Sequence, residues 1–338
     1  MKYRTLGNSG IEVSEVGFGV WPLTTGWWGK TDDADEMLKT AFDSGITFYD
    51  TAPAYGDDGF GETILAPFLA EHRDEVVITT KCGYDIHAER PKEQRERPHN
   101  WSRESIIDQI DESLMRLGID CIDLMQLHNV RIDAVQDDDL FQTLNEFVEA
   151  GKIRSYGVAL GPAIGWVEEG LYSLENRNID SLQTVYNALE QEPGRTFARH
   201  EACTSGNVSL ISRVPHASDV LSGKVTRDSL EEMLRSGDHR SHRVRENMLD
   251  NFDKADNISW LWSNESGRTI SQAAIAAILA EKTFACVLPT CLTTDEIREY
   301  AKASDLPLSD SEANALWEAY DNNFGHENRF EMPLKSSN

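Results

Sequence analysis

The chain of 338 residues lacks any long hydrophobic run. Its longest helical apolar stretch, ISQAAIAAILA, is too short for the roughly 20 residues a membrane-spanning helix needs. The opening MKYRTLGNSG has no apolar leader, so a soluble, cytoplasmic protein is expected. Positive charge is scarce: 32 Lys and Arg stand against 58 Asp and Glu, a formal net charge of -26. Such a surface repels phosphate, which argues against nucleic acid and anionic membrane as partners. The acids are spread along the whole chain, the pattern expected if dissolved salt screens their repulsion, and a halophilic origin is one reading of it. Cysteine is sparse too. Cys82, Cys121, Cys203, Cys286 and Cys291 are odd in number, without C-x-x-C spacing and without clustered histidines, so neither a disulfide framework nor a metal site is expected.

What is present is an alternation of short apolar runs and longer amphipathic segments, the pattern of βα units. KYRTLGNSGIEVSEVG reads as a β-hairpin turning at Asn8 to Gly10. Strands are expected at 16–20, 46–51, 76–81, 121–128, 153–159, 181–186, 207–214 and 284–290, and eight strands are what a (β/α)8 TIM barrel requires. Helical spacing covers 33–45, 102–118, 138–151 and 271–281, and Ser102 is placed as an N-cap. The reading is one domain over 1–338, with an irregular, charged insertion at about 225–257 and a C-terminal tail from about 303 to 338.

Barrel enzymes carry their chemistry where strands end. On this reading Asp50 ends the second strand, Tyr55 follows it in the loop, Lys81 ends the third and His128 ends the fourth. A phenol is a poor acid near neutrality, and a neighbouring ammonium stabilises its anion. Asp50 would hold Lys81 charged and oriented, and His128 would hydrogen-bond a carbonyl oxygen. Such a group can protonate an oxygen as it becomes an alkoxide and take the proton back in reverse. Singly, each residue reads as a turn former, a solvated lysine or a rim histidine; jointly, at consecutive strand ends, they read as a catalytic set.

The motifs DTAPAYG, TTKCG, LMQLHN, GKIRSYGV and the hairpin YRTLGNSGIEVSEVGFG together resemble the aldo-keto reductases, in the right order and over nearly the whole chain. The absence of a G-x-G-x-x-G loop agrees, since such barrels do not use a Rossmann fingerprint. The resemblance implies a barrel binding NAD or NADP, with a tetrad at Asp50, Tyr55, Lys81 and His128. It places Asp50 and Gln183 near the nicotinamide, and Arg213 where the family often stacks a tyrosine. It places Pro289, Thr290, Glu296 and Glu299, within PTCLTTDEIREYA, at the adenosine end. After IRSYGV the family usually has Ser-Asn, whereas this chain has Ala159 and Leu160. Trp21 falls near the family's aromatic substrate wall. Glu296 lies where relatives that prefer NADPH often carry a cation, so NAD is the favoured cofactor. The function implied is reduction of an aldehyde or ketone, a small carbonyl or sugar, or oxidation of its alcohol. The alternatives are a lyase forming a Schiff base through Lys81, and a non-catalytic nicotinamide-binding regulatory subunit.

Overall fold

The computed structural model describes residues 1–26, 29–89, 96–161, 166–237 and 239–326. The N-terminal hairpin pairs β1 (Tyr3–Thr5) with β2 (Glu12–Ser14), antiparallel. Eight parallel strands then follow in sequential order: β3 (Phe18–Gly19), β4 (Phe48–Asp50), β5 (Val77–Cys82), β6 (Ile122–His128), β7 (Ile153–Ala159), β8 (Ser181–Val185), β9 (Ser209–Arg213) and β10 (Phe284–Leu288). A parallel bridge between Val16 and Val287 brings the first strand beside the last. The expected (β/α)8 barrel and hairpin are therefore present, each strand within a few residues of its sequence reading.

The period of two along a strand decides what faces inward. Phe48, Val77, Leu124, Ile211, Cys286 and Leu288 share one apolar cluster with Leu6, Ile11 and Val13, so the hairpin packs its apolar face against the barrel lining. Two residues on from Phe48 is Asp50, two and four on from Val77 are Thr79 and Lys81, and two and four on from Leu124 are Gln126 and His128. The alternate residues Tyr49, Ile78, Cys82, Met125, Leu127 and Leu182 pack outward in the larger core. The same alternation that fills the barrel with hydrocarbon thus delivers polar groups to its carboxyl end.

The expected helices form at Ala34–Asp43, Arg103–Leu117, Asp138–Glu149 and Ile270–Ala280. Ser102 caps the second, accepting from the Ser105 amide, and Gly118 ends it in the left-handed region. The stretch 225–257 departs from its reading as irregular. It carries the helices Leu230–Arg235 and Arg245–Asn257, and Val225, Leu230, Met233, Met248 and Phe252 build a second core with Ala273, Ala277, Leu316 and Phe324. Its apolar stripe is one residue wide (Met248, Phe252, Ala255) amid charges, too thin a period to stand out in the sequence. Among the described residues no helix is long and apolar enough to cross a membrane.

Candidate active site

Asp50 and Lys81 meet where β4 and β5 end. Lys81 has no exposed surface, and its Nζ donates to Asp50 Oδ1 at 2.6 Å and to the Thr51 carbonyl at 2.8 Å. A buried ammonium persists only with matched charge and satisfied donors, which this arrangement supplies. The second Asp50 oxygen accepts from Gln126 Nε2 at 3.2 Å and from Gln183 Nε2 at 3.1 Å. Lys81 Nζ lies 4.9 Å from the centroid of the half-buried Tyr55 ring. The His128 ring stands edge-on to the same phenol at 5.7 Å, and Trp21 lies 6.3 Å away. The structure brings Asp50, Tyr55, Lys81, His128, Gln183 and Trp21 into one neighbourhood.

His128 is buried, and burial, followed by the charges of Lys81, Arg213 and His99, holds its imidazole well below the usual histidine range. It is therefore a neutral hydrogen-bonding group at neutral pH. Its surroundings come from the segment after β5: Tyr84 lies edge-on to it at 4.7 Å, and His99 Nε2 donates to its carbonyl at 2.9 Å. Tyr84, His99 and Trp101 form a stack with spacings of 4.1 and 5.0 Å. Arg213, half-buried at the end of β9, donates to the Leu160 carbonyl at 3.2 Å.

The other resemblance-derived positions sit after β10. Pro289 is buried and Thr290 half-buried. Glu296, in the first turn of the helix Thr294–Ala301, accepts from the Leu292 amide at 2.8 Å and pairs with Lys224 at 2.6 Å. Glu299 instead takes the Thr269 hydroxyl at 2.5 Å, and Gln272 Nε2 bonds its carbonyl, so it fastens the capped start of the helix Ile270–Ala280. Lys224 belongs to the loop after β9, where Val214, Ala217, Ser218 and Asp219 all have positive φ. A β-branched residue in that region is unusual, and Ala217, Ser218 and Asp219 share it in succession. Sequence reasoning missed Gln126, Tyr84, His99 and Lys224. Of these Gln126 was within reach, since it lies two residues before His128 and hence on the same strand face.

These elements and this arrangement have known counterparts. The sequence matches the model of the Aldo/keto reductase family over residues 15–321. It is 30% identical over 338 residues to the NADH-specific methylglyoxal reductase of Escherichia coli, covering 94% of this chain and 98% of that one. It is 31% identical over 257 residues to the aldo-keto reductase YhdN of Bacillus subtilis, covering 72% of this chain and 69% of that protein. The holo form of aldo-keto reductase AKR11C1 from Bacillus halodurans has the same fold, with a TM-score of 0.74 at 24% identity over 94% of this chain and 96% of that one. The chain belongs to the aldo/keto reductase family.

Proposed function

We propose that this protein uses a nicotinamide cofactor, NADH in preference to NADPH, to interconvert a small aldehyde or ketone and its alcohol, with Tyr55 as general acid and base. The observation that carries the reading is the buried Lys81 ammonium, held by Asp50 at 2.6 Å and 4.9 Å from the Tyr55 ring. The name of the Escherichia coli relative supports both NADH and a small carbonyl.

The residues present fit such a cofactor: amide side chains at the strand ends suit a carboxamide, and backbone amides of the turn-rich loop after β9 suit phosphate groups. Gln183, Arg213 and Asp50 would hold the nicotinamide end, and Pro289, Thr290 and Glu296 the adenosine end, with Glu299 holding the neighbouring helix start. When bound, the cofactor supplies or accepts a hydride at the carbonyl carbon. The rest falls to side chains. Neutral His128 donates a hydrogen bond that orients the carbonyl oxygen toward the phenol. Tyr55 gives its proton to that oxygen as negative charge develops on it, and Lys81 stabilises the phenolate left behind. Asp50 keeps the ammonium charged and aimed. Trp21 forms an apolar wall for the substrate beside Tyr55. A Schiff-base role for Lys81 would need a neutral amine, which its pairing with Asp50 opposes.

The test is Tyr55→Phe, assayed with NADH against a panel of aldehydes and ketones. Turnover is expected to fall about 10²–10⁴-fold or more while NADH binding is retained. Wild-type turnover in this variant would sink the assignment.

A further inference from the structure

Glu62 is a buried carboxylate, with no exposed surface, for which the chemistry above has no use. It lies on the one-turn helix Phe60–Thr63, which closes the segment that leaves β4 and carries Tyr55. Its Oε1 accepts from Thr80 Oγ1 at 2.5 Å and its Oε2 from Arg116 Nε at 2.7 Å. Arg116, on the helix Arg103–Leu117, also pairs with Glu112 at 2.9 Å and lies against Gly59. Gly59 has φ 74° and no room for a Cβ beside the guanidinium. Within the segment, the Gly61 amide donates to the Tyr55 carbonyl at 2.8 Å, and Thr51 Oγ1 donates to the Gly61 carbonyl at 2.5 Å. A Cβ on Gly61 would stand 2.7 Å from both the Tyr55 Cβ and the Ala52 carbonyl oxygen.

Two consecutive residues of β5 therefore grip the segment from opposite faces. Lys81 points into the barrel and binds the Thr51 carbonyl; Thr80 points out and binds Glu62. Tyr55 lies between the two anchored ends. Stability alone does not account for a charged outer anchor, because well-packed apolar residues commonly do as well as a buried ion pair. What an ion pair adds is direction: it fixes where both partners sit.

We propose that Glu62 and Arg116 are positioning residues, a clamp that holds the Tyr55 phenol in register with the Lys81 ammonium. The proposal rests on Tyr55 being the general acid and base. The clamp acts on turnover and leaves the cofactor site alone, since it touches neither the loop after β9 nor the segment after β10.

The experiment compares Glu62→Gln, Arg116→Gln, their double variant and Tyr55→Phe, measuring kcat per NADH-binding site, carbonyl KM, NADH Kd and thermal midpoint. Each single clamp variant is expected to lose about tenfold to a hundredfold in kcat, with NADH Kd within about twofold. The double variant is expected to be no worse than the singles, because the two charges act as one unit. Arg116→Gln has a further signature. Facing Glu62 are Arg116 and Ser113 from one helix and Thr80 and Cys82 from β5, with Glu112 beyond Arg116, so without Arg116 no cation among the described residues is left on it. Its ionisation then drives kcat down as pH rises, and the double variant lacks that decline. Should Glu62→Gln fail to fold, Thr80→Val removes the outer anchor at nearly constant volume and is expected to lower kcat several-fold at unchanged NADH Kd. A clamp variant within about twofold of wild-type kcat, beside an inactive Tyr55→Phe, overturns the clamp and leaves the tetrad standing. Equal losses of kcat and NADH affinity also overturn it, and an active Tyr55→Phe overturns both readings.

Discussion

Two buried imidazoles show how much a single residue depends on its neighbours. His128 faces Tyr55, Tyr84 and Lys81 and is kept neutral for a purpose the proposed chemistry uses. His216, in the loop after β9, packs on Tyr300 at 4.8 Å, and its Nε2 finds no hydrogen-bond partner among the described residues. Burial pushes its pKa down to about 4, with Lys224 adding to the effect and Asp219 opposing it. A base with a folded value below its unfolded one binds its proton first in the unfolded chain. Its contribution to stability is therefore complete above about pH 6.5 and is lost as pH falls from there toward about 4. Relative to His216→Phe, the wild type is expected to lose roughly 2 kcal/mol more of unfolding free energy between pH 7 and pH 5. Urea unfolding of both proteins at the two pH values measures it, and parallel losses would show that His216 titrates normally. At this scale the sequence pointed to the proposed tetrad because Asp50, Lys81 and His128 lie at strand ends and Tyr55 in the loop after one of them, each within a local motif. It did not disclose that Gln126 and Gln183 converge on Asp50, since that depends on the register of strands far apart in the chain.

Elements were legible where their period was strong. The interval 153–159 matches β7 residue for residue: IRSYGVA carries β-branched and aromatic residues and starts just after the glycine turn at Gly151. The helix Arg245–Asn257 and the strained loop after β9 were not, the first for its thin apolar stripe and the second because positive φ at Val214 and Ala217 is a tertiary outcome. That loop bears on cofactor choice. The sequence places Glu296 where relatives that prefer NADPH often carry a cation, and Lys224 reaches it from the loop at 2.6 Å. A carboxylate so placed repels a 2′-phosphate and occupies the ammonium that would otherwise attract it. NADH is therefore expected to exceed NADPH in kcat/KM. Glu296→Gln removes the repulsion and releases Lys224, which should move the ratio toward NADPH by about tenfold, equivalent to about 1.4 kcal/mol. An unmoved ratio would show that Glu296 does not face the adenosine end.

Across the whole molecule the excess of 26 negative charges sets two salt effects against each other. Helix starts absorb part of the excess, as with Asp35 and Glu36, Asp138 and Asp139, Asp295 and Glu296, and Asp310 and Glu312, where the helix dipole favours anions. Exposed pairs such as Lys39–Asp43, Arg227–Asp253 and Arg245–Glu231 absorb another part. Salt weakens these pairs, but each is worth only about 0–1 kcal/mol. Salt also weakens the repulsion among the acids that remain, and that repulsion acts over the whole surface. Repulsion is the larger effect when acids outnumber bases 58 to 32, so the thermal midpoint is expected to rise with KCl. The shape of the rise separates two causes. The screening length is already about 10 Å at 0.1 M and about 3 Å at 1 M, so screening alone gives most of its gain below a few tenths molar and then levels off. A midpoint that keeps climbing beyond 1 M KCl, with activity following it, would mark a surface adapted to concentrated salt. A midpoint that is flat or falling from dilute buffer to molar KCl would show that the acids do not repel one another enough to matter, and would remove the halophile reading while leaving the proposed reductase chemistry untouched.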